Sequence, residues 1–361
     1  MTRTEPRSAR RRVCAVGAAL LAAVMFLLPL PVVVLRPGTS LTLGGCVAVD
    51  SVDAVAVHGD YLLTTVAQQR ATTAATLLAL ARNDRQVRAA TTLHAAGVAP
   101  AERRAIARTR FAFAAQRAAA LGLAMAGLAA DPDRLVGEGA LVVDVIEGSP
   151  AAAVLAPGDV IVGVDDLRVA TEAQLRAILA EAGPRRVAYT RNGHTRRAVI
   201  APAEATVDGE VGAGYGLRID TLNARVDLPV QVDVVAGTIG GGSGGLMIAL
   251  AVYDQAEATV DLAAGRSIAG TGTLTSDGAV GPVAAVDLKA RAAAARGADI
   301  FLAPAAQAVQ AADLLPATSE LEIVGVSSLQ DAVGVLQAGA AQSGDLRGPP
   351  RPQTCPLAPA T

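Results

Sequence analysis

The sequence has no tryptophan and only four tyrosines and four phenylalanines in 361 residues, so no core here is built on large aromatic anchors. Histidine occurs three times, at His58, His94 and His194. Any nucleophile in the C-terminal part therefore lacks an imidazole nearby in sequence, and all three histidines read as solvated or structural. Three cysteines, Cys14, Cys46 and Cys355, are too few and too scattered for a disulfide scaffold. No His, Cys, Asp or Glu residues fall at ligand spacing, so no metal is implied. The net charge of −2 lacks the basic excess of a nucleic-acid binder. No Walker A loop is present, and "GTIGGGSGG" fits a dinucleotide-binding glycine pattern only loosely, so neither ATP nor another cofactor is expected. Lysine is the scarcest basic residue. Of 31 basic side chains, Lys289 alone is not arginine.

What is present begins with a charge asymmetry. Residues 1–12 carry Arg3, Arg7, Arg10, Arg11 and Arg12 against Glu5, followed by the uncharged run Val13–Leu35. Its length predicts a transmembrane helix over 13–35 that leaves 1–12 as a cytoplasmic basic tail and everything after Arg36 outside. A cleaved signal peptide is the rival reading, and "PVVVLRPGTS" offers it no small-x-small site. In an oxidising space Cys46 and Cys355 could pair; the alternative is two unpaired small residues.

Residues 36–130 read as an extracytoplasmic region of strands followed by Ala- and Arg-rich helices, closed by Asp131-Pro132. The role of these helices is open between shielding a site and mediating homo-oligomerisation. Residues 135–203 form a distinct unit, with Gly148-Ser149-Pro150-Ala151, then Leu155, Gly158-Asp159 and Ile161, then the helical "TEAQLRAILAEAG". This resembles a PDZ domain. The resemblance implies a groove beside the strand Ala140–Val145 that accepts an extended or C-terminal peptide segment as an added strand, with Gly139, Ala140, Leu141 and Val142 as the binding residues. The sequence departs from the family at the carboxylate nest, where "VGEGAL" replaces the usual Gly-Leu-Gly-Phe.

From 207 to 337 strands and helices alternate, as in a domain with its own core. Within it "GGGSGG" places Ser243 ahead of the apolar "LMIALAVYDQ", the arrangement of a nucleophile on a sharp turn. Lysine can lose its proton at an accessible pH and arginine cannot. Helical spacing puts Ala285 and Val286 on the face of Lys289, an apolar setting that lowers an amine pKa. Asp287 and Asp254 read as surface or helix-end charges. "GGGSGGLMIALAVYD" together with "AGTGTLTSDGAVGPVAAVDLKARAAAARGADIFLAP" resembles the proteolytic domain of the Lon protease family. That resemblance makes Ser243 the nucleophile, Lys289 the general base and Thr271 the hydroxyl that orients the lysine. Backbone N–H groups around Gly242 and Gly244 would face the oxyanion. Gly242 and Gly244 stand where the family has proline and alanine, and Ala284-Ala285 where Gly-Gly is common.

The order of segments resembles the PDZ-containing, membrane-anchored Lon-like proteases of Gram-positive bacteria. The expected fold is α+β multidomain, with an N-terminal transmembrane helix, a β-rich PDZ-like domain at 135–203, a Lon-type α/β proteolytic domain at 207–337 and a disordered Pro/Gly-rich tail at 338–361. The expected function is ATP-independent serine endopeptidase activity at the cell membrane on envelope or membrane-proximal proteins. The alternative is a catalytically weak or inactive membrane-tethered PDZ scaffold.

Overall fold

The computed structural model describes residues 28–51, 57–82, 84–90, 100–146, 148–181, 183–207, 210–235, 239–343 and Cys355, with Val16, Gly17, Ala23, Phe26, Val55 and Gly237 as isolated positions. The chain forms two units, one from residues 1–129 and 230–361 and the other from 130–229.

The larger unit opens with strands β1 (Pro29–Thr42), β2 (Val47–Asp50) and β3 (Asp60–Thr72). Helix α1 (Thr73–Leu80), strand β4 (Gln86–Ala89) and helix α2 (Pro100–Met125) follow. The smaller unit then runs through β5 (Leu135–Val136), β6 (Ala140–Val145), β7 (Val160–Val164), β8 (Leu167–Arg168) and helix α3 (Glu172–Leu179). It continues with β9 (Arg185–Arg191), β10 (His194–Ile200), β11 (Ala203–Val207), β12 (Glu210–Gly214), β13 (Leu217–Thr221) and β14 (Arg225–Val226). The chain returns to the larger unit with β15 (Gln231–Val234), α4 (Gly245–Ala256), β16 (Ser267–Gly270), β17 (Thr273–Leu274), β18 (Val280–Gly281) and α5 (Val286–Arg296). It ends with β19 (Ile300–Pro304), α6 (Ala308–Ala312), β20 (Glu322–Val326) and α7 (Leu329–Ser343).

The main sheet of the larger unit has the order β20-β19-β16-β3-β1-β4. Strands β3, β16, β19 and β20 are mutually parallel and β1 is antiparallel to both its neighbours. Half of this sheet comes from residues before 130. The segment read as a separate strand-then-helix region thus completes the core that the sequence pattern assigned to 207–337 alone. Helix α4 is buried over Gly245–Asp254, as an all-round apolar helix must be. Helix α2 approaches it at Gly122, where an added Cβ would sit 2.6 Å from the Ala249 carbonyl oxygen.

The expected transmembrane helix is corrected here. No helix among the described residues is long and apolar enough to cross a membrane, and the described chain is β-rich. The outer part of the apolar run, from Pro29, is the first half of β1. Val33 and Leu35 pack on one face of the sheet with Leu288, while Val34 packs on the other with Ala71 and Ala79. A strand covered on both faces reads as a continuous apolar run, which is why it imitates a membrane span. The basic tail 1–12, Cys14 and most of 13–27 lie outside the described residues, as does His94. The C-terminal boundary also moves, because α7 continues to Ser343, and of the tail beyond it only Cys355 is described.

The smaller unit is built on a sheet of order β10-β9-β7-β6-β13, with β8 paired to β7. Its core gathers Val142, Ile161, Val164, Leu175, Val187, Ile200 and Ile219. Residues 207–229 therefore belong with this unit. Strand β13 pairs with β6 and buries Ile219, which draws the boundary to Pro229.

Cys46 and Cys355 form a disulfide across 309 residues of chain. Closing a loop of that size limits the unfolded ensemble, and native disulfides typically contribute about 2–4 kcal/mol. Reduction with dithiothreitol should lower the unfolding free energy of the full chain by that order and its midpoint with it, and a Cys46→Ala, Cys355→Ala double variant should not respond further. An unchanged midpoint on reduction would show that the bond contributes nothing.

Candidate functional site

Three elements of the larger unit converge on Ser243. The glycine-rich loop 240–244 carries it to the start of α4. Strand β16 ends at Gly270 and delivers Thr271 beside it. Helix α5 supplies Lys289 from its second turn. Lys289 Nζ lies 2.8 Å from Ser243 Oγ and 2.9 Å from Thr271 Oγ1. The Thr271 hydroxyl in turn donates to the Ser243 carbonyl oxygen at 3.0 Å, and the Gly272 N–H donates to the same oxygen. In its neutral form the amine accepts the Ser243 hydroxyl proton and donates to Thr271, so each group has one role in a single directed chain.

Lys289 is 5% exposed and Thr271 1%. Burial pushes the Lys289 ammonium down from its ordinary 10.5 to about 8, because an apolar site disfavours the charged form. The surroundings explain it: Val286, Leu288, Ala290 and Ala293 are all fully buried. The helix entry is set by Ala285, which holds the left-handed conformation at φ 52°. That conformation costs an alanine about 1 kcal/mol relative to glycine.

The segment before residue 130 buttresses the loop that carries Ser243. Gly241 N–H donates to the Ala107 carbonyl of α2, and an added Cβ at Gly244 would fall 2.4 Å from Leu63 Cδ1, with Phe111 next to it. The backbone N–H groups of Gly242, Ser243 and Gly244 donate to no acceptor among the described residues and sit at the N-terminus of α4, where partial positive charge collects. This is the environment an oxyanion requires.

Other sequence-predicted positions fall differently. Asp254 is not a surface charge: it is 1% exposed and accepts from Tyr61 Oη at 2.8 Å and from the Leu262 and Ala263 N–H groups. Burial raises its carboxyl to about 6. Asp287 is likewise 6% exposed and accepts from Gln86 Nε2 of β4. The helix-end part of the reading holds, since Asp254 lies in the last turn of α4 and Asp287 in the first turn of α5. The surface part does not, because Tyr61 and Gln86, both from before residue 130, bond to the two carboxylates. His58 lies 3.6 Å from Asp261 and His194 sits at an exposed hairpin turn; neither meets Ser243. Among the described residues no group of acidic, histidine or cysteine side chains could hold a metal ion.

The peptide groove assigned to Gly139, Ala140, Leu141 and Val142 needs correction too. Strand β6 is not an edge. It pairs with β7 on one side and with β13 on the other, and Gly139 bonds through both its N–H and its carbonyl. Ala140 and Val142 are core residues. Among the described residues the strand with a free edge beside α3 is β13, whose Thr221 Oγ1 accepts the Glu172 N–H. Its signal in the sequence is Gly214-Tyr215-Gly216-Leu217, a Gly-x-Gly-hydrophobic run of the kind missing at 136–141. Opposite it, the Gly158-Asp159 turn is locked by Arg191, which meets Asp159 with two nitrogens at 2.7 and 2.6 Å. Burial opposes ionisation of Asp159, yet the Arg191 hydrogen bonds hold its carboxyl below the usual range.

Residues 141–190 match the family model described as PDZ domain. Among solved structures, the PDZ domain of the SdrC-like protein from Listeria monocytogenes is 21% identical, covering 23% of this chain and 87% of that chain with a TM-score of 0.21. The PDZ domain of the SdrC-like protein from Listeria innocua is 21% identical, covering 22% and 92%, also at 0.21. A protein of Geobacillus thermodenitrificans is 26% identical, covering 18% and 78%, at 0.17. Comparison with curated proteins gives no match. The chain therefore carries a PDZ domain, a class of module that binds peptides or C-terminal protein segments.

Because Lys289 is the sole lysine, protein grown with ε-13C-lysine gives one side-chain resonance to titrate. Its midpoint should fall near 8 and stay depressed in Ser243→Ala, since burial rather than a partner charge is the cause. A midpoint near the ordinary lysine value of about 10.4 would refute the desolvated amine.

Proposed function

We propose that this protein is a serine endopeptidase that works without ATP, using Ser243 as nucleophile and Lys289 as general base, with its PDZ domain engaging peptide segments of protein substrates. The observation that carries the reading is the 2.8 Å contact of the Ser243 hydroxyl with a buried amine that has no ion-pair partner among the described residues, with Thr271 fixing the amine from the other side. The loop and α5 motifs resemble the Lon proteolytic family at these same residues.

The neutral amine takes the Ser243 proton as Oγ bonds to the scissile carbonyl carbon. The resulting oxyanion meets the Gly242–Gly244 amides. Lys289 then gives its proton to the leaving amine as the C–N bond breaks, and repeats the exchange with a water that hydrolyses the ester. Histidine and aspartate are unnecessary to this scheme. The substrate would present its peptide along the free edge of β13 beside α3, where a strand can be added. The Cys46–Cys355 disulfide favours an oxidising compartment outside the cytoplasm, so envelope or extracellular proteins are the substrate class.

Casein hydrolysis by the full chain tests this. Ser243→Ala and Lys289→Arg should each reduce the rate by about 100-fold or more, since arginine keeps the charge but cannot supply a neutral base. The wild-type rate should rise with pH through about 8 as the amine loses its proton, and level off above. Equal cleavage by Lys289→Arg would exclude the mechanism. A folded wild type that cuts nothing while still binding peptides would leave a PDZ scaffold as the function.

A further inference from the structure

The smaller unit holds a second feature that neither the Ser–Lys site nor the β13 edge uses. Strand register sets Arg168 of β8 opposite Gly163 of β7, Gly163 opposite Ala188 of β9, and Ala188 opposite Arg197 of β10. Directly opposed residues of an antiparallel ladder share a face. The four positions therefore form one row across the sheet, with a guanidinium at each end and the two smallest side chains between them. Above this floor lies a cleft of about 420 Å³ lined by the whole row together with Val162, Leu167 and Arg186.

Two details mark the floor as open by composition. Gly163 has no positive φ, so backbone conformation does not call for glycine there. An added Cβ would point at the Ala188 Cβ, 3.7 Å away, and press on the Leu167 carbonyl at 3.2 Å. Arg168 and Arg197 are both exposed and neither side chain makes a hydrogen bond or ion pair among the described residues. Arg186 at the rim is held by Asp166 at 3.1 Å, and Asp166 is the one acidic side chain in the lining. Two positive charges remain uncompensated.

We propose that this cleft binds an acidic polypeptide segment lying across the strands, with carboxylates on Arg168 and Arg197. Guanidinium groups never lose their charge and match carboxylates two hydrogen bonds at a time. Three strand intervals of about 4.8 Å place the two arginine Cα atoms about 14 Å apart. Acidic residues two and four positions apart on an extended chain lie about 7 and 13 Å apart, a span that matches the row. A single phosphate cannot bridge it unless both side chains fold inward. Leu167, 59% exposed at the rim, offers an apolar contact that a peptide can use and an inorganic anion cannot.

The test uses the full chain carrying Ser243→Ala, so that bound peptide is not consumed. A fluorescein-labelled peptide alternating glutamate and serine is titrated by anisotropy, beside its glutamine counterpart and inorganic phosphate as competitor. The glutamate peptide should bind and the glutamine peptide should not. Arg168→Gln with Arg197→Gln should weaken binding at least about tenfold, the loss of two charge-assisted contacts. Ala188→Leu, which fills the floor and leaves every charge in place, should weaken it to a similar degree. Melting curves check that the variants fold. Undiminished binding by the double arginine variant or by Ala188→Leu overturns the proposal, as does failure of the parent to bind the glutamate peptide. Phosphate binding that is lost in the double arginine variant, with no displacement of that phosphate by the peptide, would assign the cleft to phosphate and also overturn it.

Discussion

Keeping one amine out of water is the constraint around which the larger unit is arranged. Moving the Lys289 pKa from 10.5 to about 8 corresponds to about 3 kcal/mol of disfavoured charge, which the surrounding core has to outweigh. The enclosure comes from distant parts of the chain. Leu288 packs with Val33 and Leu35 of the first strand, while Val286 and Ala290 share a cluster with Leu62, Ala269 and Phe301. The strands before residue 130 are thus as necessary to the site's electrostatics as the helix that bears the lysine. Thr64 of β3 ties the same strand to the Gly270 carbonyl, one residue before Thr271.

The scarcity of aromatic residues shapes how this enclosure is made. Close approach of backbones replaces large side chains. Helix α2 meets α4 at Gly122, and the Ser243 loop passes Ala107, Leu63 and Phe111 at glycines where a side chain would collide. Interiors of this type are filled to the density of any protein core, but with many small contacts, and the loop inherits its position from α2 rather than from rigidity of its own. Glycine on both sides of Ser243 is compatible with a defined geometry because the neighbours supply the definition.

In the smaller unit an ion pair does comparable work for a turn. Asp159, 1% exposed, takes hydrogen bonds from Arg191 and from the Ala156 N–H, so the tight turn opening β7 is fixed to the end of β9. The Arg191 guanidinium also lies over the Tyr189 ring and reaches the Val154 carbonyl. This leaves the two outer strands of the sheet, β13 and β10, with different surroundings. One faces helix α3, and the other borders a basic cleft.

Local chemistry was legible in the residues alone. A lone lysine among thirty arginines and a serine in a glycine run marked two of the groups that meet at this site, because each is conspicuous by itself; Thr271, one threonine among many, was marked only by the resemblance to the Lon proteolytic domain. The Gly-Ser-Pro-Ala and Gly-Asp signatures marked the PDZ domain for the same reason. Long-range pairing was not legible. The apolar run through Val33–Leu35 has the composition of a membrane span, and only its partners on both faces of a sheet make it a buried strand. The PDZ resemblance made Ala140–Val145 an edge strand, and only the arrival of β13 from more than 70 residues downstream closes that edge. Asp254 and Asp287 read as surface or helix-end charges, and both do lie in helix end turns, but only Tyr61 and Gln86 placed against them show that they are buried. The sequence by itself determined which atoms could react; the tertiary structure decided which strand is an edge, which aspartates are dry and how far the amine is removed from water. Reactivity belongs to a side chain, whereas burial and pairing depend on residues that only folding brings near.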